Sequence, residues 1–250
     1  MRSLRLACEA VGVHVGVKRS RRRGARIALG VVVLAVLALV LAQAILPTVV
    51  ANRVSDHVSR YGSVKSASVS AWPAIELLWG KADSAKLSAG SLSATPAQLA
   101  ALLWEANGVN DMTMTAEEMT LRGAGPLNGL TLRNVRTEKR GAQITESGTF
   151  TQQQLDEALP SGFRVQLVTS GGGQVQVKAS GGLFGAQMSI PALLKPLEGR
   201  LVVEPRGFPL AGLATVTLLS DPHLKVQSVA VAVIGRQPLT YRLSLGASLS

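Results

Sequence analysis

The sequence is poor in the residue types that build most catalytic and metal sites. One cysteine and three histidines occur in 250 residues. Cys8 precedes the long apolar run, so the remainder of the chain has no disulfide and no thiolate metal site. A domain of this kind placed outside the cytoplasm rests on packing alone. His14 also precedes the run, His57 falls on a predicted helix, and His223 lies in the turn sequence SDPHL. A zinc or Ser-His-Asp site would have to be assembled from His57 and His223, with no supporting cluster beside either. Carboxylates are equally thin. Glu117-Glu118 and Asp156-Glu157 are neighbours in sequence and therefore diverge rather than converge on one bond.

No nucleophile elbow, P-loop, dinucleotide fingerprint or H-E-x-x-H pattern is present, and the glycines at 171–173 lack the following helix and lysine of a phosphate cradle. They read as a hairpin turn. The expectation is a protein without catalytic residues, metal or cofactor.

Aromatics make up 4% of the chain and charged residues 16%, against 47% hydrophobic ones. That is enough apolar material for one packed domain and an anchor, and it argues against disorder. The formal charge of +11 would suggest nucleic acid. Its distribution does not: residues 1–26 hold eight of the 26 Lys and Arg and one acid, Glu9, a charge of +7 that leaves +4 for everything after. A near-neutral body with few aromatic stacking platforms makes a poor nucleic-acid binder. The excess of Arg over Lys and the abundance of Ala, Gly and Val are common in GC-rich bacterial genomes.

What the chain does have is one long apolar run. Ile27 to Leu46 contains a single strongly polar residue, Gln43, and as a helix it reaches roughly 30 Å, the thickness of a bilayer's hydrocarbon core. The dense cations before it, RSRRRGAR, favour a cytoplasmic N-terminus. The expected organisation is a basic cytoplasmic segment (1–26), a transmembrane helix or uncleaved signal anchor (27–46), and an extracytoplasmic domain (47–250). Ala42-Gln43-Ala44 has the A-x-A form of a signal-peptidase site, and cleavage after Ala44 would make the body secreted or periplasmic. Retention is favoured because the basic leader is long and the apolar run continues past that site. Either way the body leaves the cytoplasm.

After Pro47, Val50, Val54, Val58 and Tyr61 recur at helical spacing, predicting a short separate amphipathic helix that is a stalk, a first core helix or a helix lying on the membrane. Alternation predicts strands at 63–71 and 81–93, with WPAIELLWG between them. There Trp72, Pro73, Ile75, Leu77, Leu78 and Trp79 form an aromatic-aliphatic cluster that either plugs one end of the core or dips into lipid headgroups. Thr95, Pro96 and Gln98 spell a capping box opening a helix at 96–106, and Thr151 with Gln154 repeats it for 152–159. Strands are expected at 110–122 and 130–138, joined by a turn at Asn128-Gly129, with a hairpin at Arg140-Gly141 leading to AQITESGTF. Everything after 160 reads as a β-meander with at most one helical turn around 209–219. The fold class is α+β, a curved antiparallel sheet wrapped around a few helices.

These segments resemble the actinobacterial phospholipid-binding proteins of the LmeA type. The resemblance rests on the basic leader and apolar segment, VVANRVSDHVS, SVSAWPAIELLWGKADSAKLSAGSL, GTFTQQQLDEAL and GRLVVEP. It departs at Trp72, where that family commonly has another aromatic such as Phe, and in the region after 207. It implies a tubular-lipid-binding-like fold, export, and binding of anionic phospholipid at the cytoplasmic membrane of a bacterial envelope without catalysis. Arg53, Arg60, Lys81 and Lys86 are then candidates for steering headgroups. The alternatives are a membrane-tethered scaffold that binds a partner protein and an envelope hydrolase with an unrecognised site.

Overall fold

The computed structural model describes residues 20–123, 125–183, 186–207 and 215–250. The chain divides into two compact units, Met1–Ala42 and Gln43–Ser250. In the first, the described residues are helical, and the helix α1 (Ser20–Val58) passes from it into the second. The stretch Val31–Val58 is long and apolar enough to cross a membrane, with a mean hydropathy of 2.5 in its most apolar window.

The expected break at Pro47 is absent: α1 continues through it to Val58. Proline removes the helical bond to the carbonyl of Gln43. The loss is tolerated because Val58 is buried in the body's core, with Val54 and Val50 packed against core residues on the same face.

The body is mixed α+β and mostly strand. A seven-stranded sheet has the order β1 (Gly62–Ser70), β2 (Ala82–Ala94), β3 (Val109–Leu121), β4 (Thr131–Arg140), β5 (Gln143–Thr151), β12 (Leu239–Leu249), β11 (Leu224–Arg236). A second sheet has the order β10 (Val216–Leu219), β9 (Arg200–Pro205), β8 (Ala186–Leu197), β7 (Gln174–Leu183), β6 (Phe163–Gly171). Three expectations are corrected here. Among the described residues there are two sheets rather than one. The meander after 160 ends at β10, and β11 and β12 return to the first sheet. Finally, β2 and β3 run parallel, because α2 (Pro96–Glu105) is a crossover between them and not a hairpin. Of the helical turn expected around 209–219, residues 209–214 lie outside the described residues, and Val216–Leu219 is a strand.

Both helix starts form as their sequences specify. Thr95 Oγ1 accepts from Gln98 N–H while the Gln98 side chain accepts from Thr95 N–H, and Thr151 with Gln154 does the same for α3 (Gln152–Ala158). Thr95→Ala therefore leaves a first-turn donor unpaired, and we expect it to lower unfolding free energy by about 1 kcal/mol in chemical denaturation. At the other end of α2, Gly108 is required by close approach: a Cβ there would lie 2.1 Å from the carbonyl oxygen of Gly80.

The inner face of the first sheet supplies one core cluster, with Met119, Val135, Phe150 and Tyr241, which α3 joins through Leu155. A second cluster joins Ala100 and Leu103 of α2 to β11, β12 and the second sheet through Val175, Leu201 and Val229. The second sheet's turns are tied to β11, whose Val226 N–H donates to Gly199 O (2.8 Å) and Val229 N–H to Gly173 O (3.1 Å).

Candidate functional site

A cavity of about 400 Å³ lies within the body, between α1, α2 and the inner face of the first sheet. That size falls among ligand pockets of roughly 300–1,000 Å³. Val50, Val54 and Val58 of α1 form one wall, and Leu99, Leu102 and Leu103 of α2 another. Val69, Leu87, Met112 and Met114 supply the sheet side. Because exposed Arg53, Lys81, Lys86 and Glu105 also border it, the cavity opens to solvent at a charged rim. A smaller chamber of about 140 Å³ lies on the other side of α2, and Leu99, Leu103 and Glu146 border both spaces.

The candidate headgroup cations divide. Arg53, Lys81 and Lys86 border the cavity, whereas Arg60, although exposed, does not. Helical geometry explains the difference. The cavity side of α1 is set by the Val50–Val54–Val58 row, and Arg60 follows the helix's last residue. His57 also borders the cavity and approaches Glu105 at 3.4 Å, while His223 approaches Asp221 at 3.4 Å and packs on the Trp104 ring. They share no cluster: among the described residues no group of three His, Cys, Asp or Glu could hold a metal.

Within the segment 72–79, Ala74–Trp79 folds as a 3-10 helix. Its three-residue period puts Ala74 and Leu77 on the inner side, both buried, and Ile75 with Leu78 on the outer. Leu77 is thereby removed from the candidate membrane contacts; it lines the cavity instead. Trp72, Leu78 and Trp79 are 72%, 65% and 68% exposed, Ile75 lies at the margin of the patch, and Pro73 is half-buried. This apex is tied to α1 at Gln43, whose Nε2 donates to Ala71 O (3.2 Å) and whose Oε1 accepts from Ala74 N–H (2.7 Å). A third tie is Trp72 N–H to Asp83 Oδ2 (2.7 Å).

Two polar residues of the cavity, Thr137 and Glu146, are absent from the sequence-based candidates. They are Cα partners across β4 and β5. The signal was available in part: Ile144, Glu146, Gly148 and Phe150 share a face by strict alternation, and three of the four are apolar or Gly. Burial pushes the Glu146 carboxyl above the ordinary carboxylate range. The side chain is only half-buried by accessible surface, and the surface it retains is offered to the two chambers it borders. On the same face Lys139 is 1% exposed and donates from Nζ to the Val109 carbonyl. Burial lowers its pKa, and Asp111 partly opposes that.

Glu146→Gln isolates the cost of this carboxyl. At low pH the acid is protonated in both folded and unfolded chains, so the parent carries no ionisation penalty. As pH rises above the ordinary range the unfolded chain ionises while the folded protein holds its proton, and the parent loses stability until pH reaches the raised folded value. The advantage of Glu146→Gln should therefore grow from acid to neutral pH in denaturation series. A pH-independent difference would show that the carboxyl is not held away from water.

No protein-family model, curated protein or solved structure matches this chain.

Proposed function

We propose that this protein binds phospholipid at the outer face of a bacterial cytoplasmic membrane, holding acyl chain in the cavity between α2 and the first sheet without catalysing a reaction. The observation that carries the reading is the cavity's make-up, an aliphatic interior with a rim that includes Arg53, Lys81 and Lys86. Burying hydrocarbon contributes about 0.8 kcal/mol per methylene, and rim cations favour an anionic headgroup. The resemblance to LmeA-type proteins and to a tubular lipid-binding fold points the same way.

The apex supports a position at the membrane surface. Gln43 belongs by sequence to the apolar stretch that would span the bilayer, and the 72–79 segment is hydrogen-bonded to it. Exposed indoles at that level suit the headgroup zone, where a ring is buried while its N–H stays wet. The same two hydrogen bonds support retention of the segment, because cleavage after Ala44 would discard Gln43 and leave the Ala74 N–H without it.

The test is to purify the full chain in mild detergent from a bacterial host, extract it with organic solvent and identify the lipid by mass spectrometry. Stoichiometric phospholipid above that carried by a single-span control protein is expected. Lipid no higher than the control, with no uptake from anionic vesicles, would end the reading.

A further inference from the structure

The cavity is built for hydrocarbon except at one place. Thr137 is 1% exposed, borders the cavity, and its Oγ1 has no hydrogen-bond partner. Glu146, its partner across β4 and β5, borders the same space, and among the described residues its carboxyl has no hydrogen bond or ion pair. Burying a hydroxyl unpaired is costly, and beside Thr137 the half-buried Glu146 carboxyl gives the cavity a second polar group that the protein leaves open to a ligand.

The position of the pair restricts what that something is. Lys86 of the rim and Leu87 stand on β2, and the register runs Leu87–Met114–Thr137–Glu146 straight across to β5. Three strand spacings, about 14 Å, separate Leu87 from Glu146. Glu146 also borders the second chamber, whose other lining is dominated by leucines such as Leu130, Leu132 and Leu243. Hydrocarbon entering from the rim thus meets aliphatic surface, then two polar groups, then aliphatic surface again.

We propose that Thr137 and Glu146 select a lipid whose hydrocarbon chain carries a hydroxyl part-way along its length. This rests on the lipid-binding reading above and names the kind of chain bound. A ligand hydroxyl is both donor and acceptor: its oxygen accepts from the Glu146 carboxyl in the protonated form that burial favours, and its O–H donates to Thr137 Oγ1. A plain chain leaves both groups unpaired. An anionic group is disfavoured there, since no Lys or Arg lines the second chamber among the described residues.

The experiment compares ricinoleic acid with oleic acid, which differ by one mid-chain hydroxyl, in competition for the detergent-solubilised full chain, read by native mass spectrometry. The hydroxylated acid should win by about tenfold, the worth of one to two buried hydrogen bonds. Glu146→Leu should abolish or reverse the preference, Thr137→Val, which is isosteric, should reduce it, and Glu146→Gln should keep part of it, since an amide still donates and accepts. Equal binding of the two acids to the parent protein, or a preference that survives both Glu146→Leu and Thr137→Val, overturns the selection while leaving lipid binding intact. Failure of both acids to bind, when anionic vesicles also deliver no lipid, overturns the function itself and this inference with it.

Discussion

Ala85→Trp should cut lipid occupancy at least tenfold and leave thermal unfolding nearly unchanged. Ala85 borders the cavity on β2 and is a Cα partner of Val69 on β1 and Met112 on β3, so an indole there projects into space that the parent leaves open. Enlarging a side chain in a packed core costs about 1–3 kcal/mol through strain, but growth into an existing void avoids most of that. The lipid loses what the indole takes. At about 0.8 kcal/mol per methylene, each one displaced costs about fourfold in affinity, so two displaced methylenes already exceed tenfold. Ser66→Trp, at an exposed position of β1 that does not border the cavity, is the control. Normal lipid occupancy in Ala85→Trp would mean that the lipid sits elsewhere on the protein, the exposed Trp72–Trp79 apex being the next place to look.

The features legible in the sequence are those decided by a few adjacent residues. Thr95-Pro96-Ala97-Gln98 encodes its capping box locally, and Arg140-Gly141 encodes a hairpin because Gly141 takes a positive φ of 56°. Pro47 misled because its local cost is real, but packing of the Val50–Val54–Val58 row outweighs it, and that packing is visible only once the sheet exists. Strand pairing was the least legible. Nothing within β2 or β3 says that they run parallel; the crossover through α2 decides it. Likewise the alternation in LTYRLSLGAS shows a strand but not its neighbour. The cavity's polar pair fell between these cases. Glu146 stands out on the inward face of its strand, whereas Thr137 does not, because the register of β4 against β5 shifts between Arg133 and Arg136 and breaks the alternation that would reveal it.

The return of β12 to β5 has the largest expected consequence for stability. Phe150 and Tyr241 are Cα partners across these strands, both buried, with ring centroids 5.4 Å apart. The Tyr241 hydroxyl donates to Gln152 Oε1 (2.8 Å), and Gln152 Nε2 donates to Val165 O (2.9 Å), so the pair also ties α3 to the start of the second sheet. Phe150→Ala removes a ring from this junction and should cost about 3–5 kcal/mol. At about 2–4 °C per kcal/mol for a domain of this size, the midpoint of thermal unfolding should fall by roughly 6–20 °C. A double-mutant cycle with Tyr241→Leu separates the pairing from ordinary burial. Rings in contact across two strands should show a coupling of about 0.5–1.5 kcal/mol, whereas two aromatics buried in separate places would be additive. Additivity would place β12 away from β5. The wall that carries Glu146 would then lack its neighbour Leu245, and the cavity would no longer be closed on that side.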